Sequence, residues 1–193
     1  APFRRGDASL RAKPVRLAAP MRSAHPMTAD PPASTEAAGR LAGLKKDAMV
    51  EAAERLTRES SNSQQYLLLL GGLRALAGSD YEGSQVLDSY LLRALSLSGW
   101  VPELGVCQSC QSHQPQSFSV HTGHVSCGNC ALPGAVKLGS IGLEHMRNLL
   151  AGNWPEVAVA EPGTKSNVSS VISAYLQWQL ERGLRSMSMV ERA

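Results

Sequence analysis

The feature of this 193-residue sequence that most constrains its fold is a set of four cysteines arranged as two Cys-x-x-Cys pairs. Cys107 and Cys110 form the first pair, sixteen residues follow, and Cys127 and Cys130 form the second. A Cys-x-x-Cys turn directs two thiolates to one side of a tight loop, so two such turns can surround Zn²⁺ tetrahedrally, with Zn–S distances of about 2.3 Å. We therefore predict one structural Zn²⁺ per chain, held by all four cysteines in a module at 105–133.

Two other uses of paired cysteines fit this sequence less well. A thioredoxin-type redox pair lies where a strand meets a helix, and it needs no second pair. Two disulfides are expected in an oxidising compartment, and the sequence shows no secretory signal. Because four thiolates already close the zinc shell, we expect the histidines of the module to lie on its surface: His113, His121 and His124.

The segment between the two cysteine pairs has the pattern of a β-hairpin. Phe118, Val120 and Val125 follow strand alternation, and Thr122-Gly123 can form the turn between two strands. This hairpin would bring the second cysteine pair back to the first. We expect the helices on either side to bury a core separate from the module.

The charge and the prolines divide the chain into two parts. Residues 1–46 contain nine Lys/Arg against three Asp/Glu and six of the eleven prolines, whereas residues 47–193 contain ten Lys/Arg against thirteen Asp/Glu. Prolines interrupt helices and remove ladder donors from strands. We therefore predict a disordered basic leader at 1–46 and a folded domain at 47–193. The basic balance of the whole chain belongs to the leader.

Helical spacing of apolar residues recurs from Asp47 onward, so the fold class is mainly α. We predict five helices, with capping residues and glycines as the end signals: 47–59, 62–78, 84–99, 140–152 and 166–183. Gly71-Gly72 falls inside the second helix and costs about 1 kcal/mol per residue relative to alanine. Either close packing offsets that cost, or the helix breaks there.

The same spacing predicts which side chains face the core. The predicted inward residues are Met49, Ala52, Ala53 and Leu56 in the first helix; Tyr66, Leu67, Leu69, Leu70, Leu73 and Leu76 in the second; Val86, Leu87, Tyr90, Leu91, Ala94 and Leu95 in the third; Ile141, Met146, Leu149 and Leu150 in the fourth; and Val168, Val171, Ile172, Tyr175 and Leu176 in the last. Leu92 and Leu97 widen the stripe of the third helix. We expect that helix to be buried on more than one side.

The sequence contains none of the common catalytic or nucleotide-binding motifs, such as GxGxxG, a Walker loop, GxSxG or HExxH. It also has no apolar run of the roughly 18 residues that a membrane span needs. These observations favour a protein that acts by binding, without an enzymatic activity or a membrane.

Two blocks resemble a known family, VLDSYLLRALSLSGWVPELGVCQSC at 86–110 and AYLQWQLERGLRSMSMVER at 174–192. With the four cysteines between them and AERLT at 53–57 before them, they resemble the bacterial recombination mediator RecO in its cysteine-containing, actinobacterial form. The resemblance covers about residues 47–192. It implies DNA repair by homologous recombination in the bacterial cytoplasm, at the nucleoid.

The resemblance also implies partners. Members of the family bind single- and double-stranded DNA, anneal strands, and act with RecR to help RecA displace the single-strand-binding protein SSB. They carry an N-terminal OB-fold before the helical domain, and residues 1–46 are too short and proline-rich to form one. We therefore expect weak DNA binding. The alternative is a zinc-stabilised helical adaptor that binds only proteins.

Few cations in the folded part could contact phosphate or a partner. The candidates are Arg74, Arg93, Arg182 and Arg185, with Arg147 and Arg192 as further possibilities. We expect the acidic, hydrophobic-ended tail of SSB to dock in a groove between the helices at 62–77 and 85–98, edged by Arg74 and Arg93. Asp88 would repel such a tail, which predicts weak binding, on the order of 10 μM.

Overall fold

The computed structural model describes residues 33–57, 63–78 and 80–180, which form six helices and a small three-stranded sheet. The helices are α1 (Ala33–Leu56), α2 (Ser63–Gly78), α3 (Gly83–Leu97), α4 (Gly139–Ala151), α5 (Trp154–Ala158) and α6 (Pro162–Gln179). The strands are β1 (Ser117–Ser119), β2 (His124–Ser126) and β3 (Val136–Lys137), in the antiparallel order β2-β1-β3. The prediction of a mainly α fold with an inserted hairpin is confirmed. None of the helices in these ranges is long and apolar enough to span a membrane.

The first helix begins well before the predicted boundary. We expected the leader to run to residue 46, whereas α1 starts at Ala33, directly after Pro31-Pro32. The physical reason is that no proline follows Pro32 in this segment, so the helix extends up to the last residue that interrupts it. The other residues of the predicted leader lie outside the described ranges.

The last helix also begins earlier than predicted. We expected Ser166 to cap it, but Glu161 is the extended N-cap residue and Pro162 is the first helical residue. Proline is well suited to this position because its fixed φ is helical. The first N–H groups of a helix have no partner within the helix, so the N–H that proline lacks is no loss there. The apolar face of α6 is as predicted, because the five residues named for it are all buried. The predicted end at Gly183 lies outside the described residues.

Helix α3 is the centre of the helical domain, as its wide apolar stripe predicted. It packs against α1, α2, α4 and α6, and both Leu91 and Leu92 are fully buried. The Tyr90 hydroxyl donates a hydrogen bond to the Met49 carbonyl of α1 over 3.1 Å. Helix α2 continues through its two glycines: Gly72 packs closely against Met49 and Tyr90, whereas Gly71 has open space around it.

The predicted inward face of α2 is partly wrong. Tyr66 and Leu67 are 66% and 62% exposed, whereas Gln65 is buried. Gln65 Nε2 donates to the Ala94 carbonyl over 2.8 Å and to Ser98 Oγ over 2.9 Å, at the C-terminal end of α3. Carbonyls at a helix end need donors, so this amide takes the inward position and rotates the aromatic residue outward. The run of leucines in α2 has too little periodicity to show this.

Helix α4 has the same kind of error at its start. Ile141 is 72% exposed, and the buried positions of the first turns belong to Leu143 and His145. The predicted end is confirmed, because Gly152 has a left-handed φ of 72° and caps the helix. The short helix α5 and the strand β3 were not predicted, since a single turn and a two-residue strand leave no periodicity in the sequence.

One hydrophobic core joins the helices and the cysteine module. Phe118 of β1 is fully buried and Val125 of β2 is 1% exposed, and both belong to the same buried cluster as the residues of α3, α4 and α6. The expectation of separate cores is therefore wrong. The reason is that the module is too small to enclose its own apolar side chains.

Candidate metal centre and partner surfaces

The hairpin brings the two cysteine pairs together as the sequence predicted. Strands β1 and β2 pair in the register Ser117↔Ser126, Phe118↔Val125 and Ser119↔His124. Gly123 closes the turn with a φ of +72° and donates its N–H to the Ser119 carbonyl over 2.8 Å. This left-handed conformation is one that glycine adopts without strain.

Each cysteine pair lies in a tight backbone turn. The N–H of Gln111 donates to the Cys107 carbonyl over 2.9 Å, and the N–H of Cys130 donates to the Cys127 carbonyl over 3.1 Å. Gln111, immediately after the first pair, has a left-handed φ of 59°. The Gln108 N–H donates to the Val125 carbonyl over 3.0 Å, which ties the first turn to the hairpin.

The four thiols form a cluster of the size that a tetrahedral metal site needs. Their sulfur atoms all lie within 4.8 Å of one another, and Cys110 Sγ is 3.7 Å from Cys127 Sγ. A tetrahedron with Zn–S distances of about 2.3 Å has S–S edges of about 3.8 Å. The donor set therefore fits a closed four-thiolate metal site, which is structural because it leaves no position open for a substrate.

The electrostatics of the cluster also favour a cation. Backbone N–H groups, first that of Cys127 and then that of Cys110, lower the pKa of the Cys107 thiol to about 6. The neighbouring sulfur of Cys127 raises the pKa of Cys130 to about 12. Backbone donors thus stabilise a first thiolate, while further thiolates repel one another. A bound dication removes that repulsion.

Aromatic packing and three hydrogen bonds to two loop carbonyls attach the module to the helices. The Phe118 ring packs edge-on against Tyr175 of α6, with centroids 5.4 Å apart, and the Tyr175 hydroxyl donates to the Trp100 carbonyl over 3.2 Å. Arg147 of α4 donates from Nε and Nη2 to the Leu104 carbonyl over 2.9 and 2.7 Å. Arg147 therefore holds the loop that leads into the first cysteine pair.

The predicted cationic residues lie in different settings. Arg74 is exposed on α2. Arg93 is partly buried, donates from Nε to the Leu150 carbonyl over 3.1 Å, and lies against Gly152. Desolvation lowers the pKa of Arg93. Arg182 and Arg185 lie outside the described residues, so they remain predictions.

The structure does not place Asp88 where the sequence suggested. Asp88 is 2% exposed and accepts a hydrogen bond from Ser169 Oγ of α6 over 3.0 Å, so it faces away from α2. It is therefore unable to repel a tail on the α2 side, and that part of the prediction is wrong. Close packing at Gly72 fills the space between α2 and α3. A pocket of about 610 Å³ lies instead on the α1 side of α2, lined partly by Val50, Tyr66 and Leu69.

A polar groove that the sequence analysis missed lies between α3 and α6, with a volume of about 760 Å³. Its lining includes the first turn of α3, Lys165, and four serines of α6 that follow helical spacing: Ser166, Ser169, Ser170 and Ser173. Beneath this lining, His145 Nε2 donates a hydrogen bond to Gln85 Oε1 over 2.8 Å. Asp88 Oδ2 and His145 Nδ1 are buried without a hydrogen-bond partner among the described residues.

A signal for this groove exists in the sequence. The serines at 166, 169, 170 and 173 recur with the i, i+3, i+4, i+7 spacing of a helix face. Such spacing identifies a shared face, but it does not show whether that face lies against solvent or against another helix. The buried Gln85 and Asp88 give no sequence signal, since polar residues are usually exposed.

Comparison with known proteins identifies the family. A family model described as "Recombination protein O C terminal" matches residues 47–188. The DNA repair protein RecO of Streptomyces coelicolor is 43% identical over 148 residues, which cover 75% of this chain and 60% of that protein. RecO of Nocardioides sp. is 39% identical over 150 residues, covering 75% of this chain and 62% of that protein.

A third relative, RecO of Frankia casuarinae, is 40% identical over 148 residues, covering 75% of this chain and 61% of that protein. The chain thus spans about 60% of the length of these curated relatives. The matched region contains the cysteine module and α2 to α6 in full. The resemblance inferred from the two sequence blocks is confirmed, and the chain belongs to the RecO family of DNA repair proteins.

Proposed function

We propose that this chain is a recombination mediator that acts by binding, without catalysing a reaction. It binds single- and double-stranded DNA and the tail of SSB, and with RecR it helps to load RecA and to anneal strands. The observation that carries this proposal is the match of residues 47–188 to the C-terminal part of RecO. The place of action is the bacterial cytoplasm, at the nucleoid.

We propose Zn²⁺ as the metal of the four-cysteine site. Thiolate ligands in tetrahedral geometry suit Zn²⁺ and iron–sulfur chemistry, and a closed mononuclear shell favours Zn²⁺. Cys107, Cys110, Cys127 and Cys130 would hold it. Metal analysis of protein purified without chelator should give one zinc per chain. Iron in its place, or a chain without metal, would contradict the assignment.

The surface of α1 and α2 is the proposed docking site for the SSB tail. Tyr66 and Leu67 are largely exposed, and Val50 is 49% exposed beside them. Such a surface can bury the hydrophobic end of a peptide, while Arg74, exposed on α2, can pair with its acidic residues. This site replaces the α2–α3 groove, which the packing of Gly72 fills.

Strand annealing tests the proposed function. Complementary oligonucleotides labelled with a donor and an acceptor are coated with SSB, and annealing is followed by energy transfer with and without the chain. We expect the chain to speed annealing. Much of the basic charge lies in residues 1–46. Contacts of such charges with phosphates weaken as salt increases, so we expect the effect on annealing to decrease with salt.

The adaptor alternative has a different outcome in parallel binding assays. An SSB-tail peptide would bind the chain, while labelled DNA would not bind and annealing would stay at its spontaneous rate. This result would remove DNA binding from the proposal and leave a zinc-stabilised protein adaptor. Calorimetry with Arg74→Glu and Tyr66→Ser locates the peptide, because both variants should weaken its binding if the α1–α2 surface is the site.

A further inference from the structure

The groove between α3 and α6 already holds an anion supplied by the protein itself. The Glu82 carboxylate accepts hydrogen bonds from Ser84 Oγ over 2.6 Å and from Lys165 Nζ over 3.1 Å. These donors, together with the N–H groups of the first turn of α3, are the kind that recognise a phosphate oxygen. The Glu82 side chain makes no capping hydrogen bond to those backbone N–H groups.

The two side chains of this ion pair differ in how strongly their surroundings fix them. The Lys165 side chain is 16% exposed and also donates to the Ala158 carbonyl over 3.2 Å, so the ammonium group is fixed at the groove. The Glu82 side chain is 55% exposed. A long, half-exposed side chain can rotate into solvent at small cost. The cation thus belongs to the groove, whereas the anion is exchangeable.

A second observation is independent of the helix terminus. Gln85 is only 2% exposed, yet it lines the groove, and its Oε1 accepts from His145. No described residue accepts a hydrogen bond from its Nε2. Ser173, 3% exposed, also lines the groove without a described hydrogen-bond partner. Neither donor atom is itself fully buried, so both are accessible from the groove and available to a ligand.

We propose that this groove binds one backbone phosphate of a nucleic acid strand, which displaces the Glu82 carboxylate from Lys165 and the first turn of α3. The site rests on the DNA binding proposed above and gives it a position in the helical domain. Asp88 is buried beneath the groove lining, where burial raises its pKa to about 7. Near neutral pH a large fraction of its carboxyl groups is therefore uncharged and does not repel phosphate.

Opposite effects of the two charged residues test the site. Binding of a labelled oligothymidylate to the full chain is measured by fluorescence anisotropy over a range of salt. Glu82→Gln should tighten binding severalfold. Lys165→Gln should weaken it and reduce the slope of log K against log salt by about 1.

The matched control is Glu144→Gln. This substitution removes the same charge at a 60% exposed position on α4. Equal effects of Glu82→Gln and Glu144→Gln would show only a change in total charge and would overturn the site. Circular dichroism of each variant separates a loss of binding from a loss of folding.

A spectroscopic probe distinguishes the source of the phosphate. The side-chain amide resonances of Gln85, assigned through their absence in Gln85→Met, are followed while inorganic phosphate or the oligonucleotide is added. We expect both ligands to shift them. A shift with inorganic phosphate alone would overturn the nucleic acid assignment, and no shift with either ligand would overturn the site.

Failure of the site and failure of the proposed function remain distinguishable. If the oligonucleotide binds equally to all variants, DNA binding stands and the groove is not its site. If the chain binds no oligonucleotide, the DNA-binding part of the proposed function fails, and this inference with it.

Discussion

The two halves of α6 pack against the rest of the helical domain in different ways. Its C-terminal half places Ile172, Tyr175 and Leu176 in the shared core, where Tyr175 meets Phe118 of the cysteine module. Its N-terminal half faces α3 with serines, and Asp88 Oδ2 of α3 is buried there without a partner among the described residues. Apolar contacts stabilise in proportion to the area they bury, whereas an unpaired buried polar atom costs about 1–3 kcal/mol. The C-terminal half therefore provides stability, whereas the N-terminal half provides the polar groups of the proposed binding groove.

The largest expected effect is on the apolar half. Phe118→Ala removes a fully buried ring from between the module and α6, so we expect the free energy of unfolding to fall by about 3–5 kcal/mol. Urea denaturation followed by circular dichroism measures it. The control is Val136→Ala, since Val136 on β3 is 40% exposed and should change the stability by less than about 0.5 kcal/mol. Equal losses in the two variants would remove the special role of Phe118.

The next effect belongs to the polar half and depends on pH. Burial raises the pKa of Asp88 from 3.8 to about 7, and the hydrogen bond from Ser169 opposes this only in part. Because the pKa is higher in the folded state, the contribution of Asp88 to stability is full below pH 3.8 and is lost as the pH rises through about 7. A shift of this size corresponds to a loss of about 4 kcal/mol.

The variant Asp88→Asn isolates this effect, because its amide does not titrate. The stability of Asp88→Asn minus that of the original chain should increase from pH 4 to about pH 7. The charged groups that interact with Asp88, namely Glu82 and Lys45, are present in both proteins, so their own titration largely cancels in the difference. A difference that does not change with pH would show that Asp88 is not a buried acid.

A smaller effect concerns Arg93, which joins α3 to the end of α4. Arg93→Met removes the hydrogen bond to the Leu150 carbonyl, so stability should fall by about 1–3 kcal/mol. Arg74→Met, at an exposed position, should change it by less than about 0.5 kcal/mol. Similar results for both would mean that Arg93 is a surface cation, as the sequence alone suggests.

The smallest effect compares neighbours on α6. Ser173→Ala removes, from a buried residue, a hydroxyl that has no described partner, so we expect no loss, or a gain of up to about 1 kcal/mol. Ile172→Ala, one residue earlier, should cost about 2–5 kcal/mol because it leaves a cavity in the core. A clear loss in Ser173→Ala would mean that its hydroxyl is satisfied and that the polar and apolar positions of α6 differ less than proposed.

Local spacing was sufficient to predict part of this structure. The two Cys-x-x-Cys pairs and the hairpin between them are short-range patterns, and the apolar faces of α3 and α6 follow helical periodicity. Non-local packing determines the rest. That Phe118 is covered by Tyr175, or that Gln65 replaces Tyr66 on the inner face of α2, depends on which carbonyl or ring a distant element presents. Asp88 was misplaced for the same reason, since the sequence does not show that Ser169 lies opposite it.

The cysteine module shares its hydrophobic core with the helices. The most direct test is urea unfolding of the full chain followed by circular dichroism at the helical band, with and without prior removal of the metal by a chelator. We predict that metal removal shifts the helical transition to lower urea, because loss of the tetrahedral site releases β1 and with it Phe118. An unchanged helical transition after complete metal loss would show that the module folds apart from the helices, and would contradict the account.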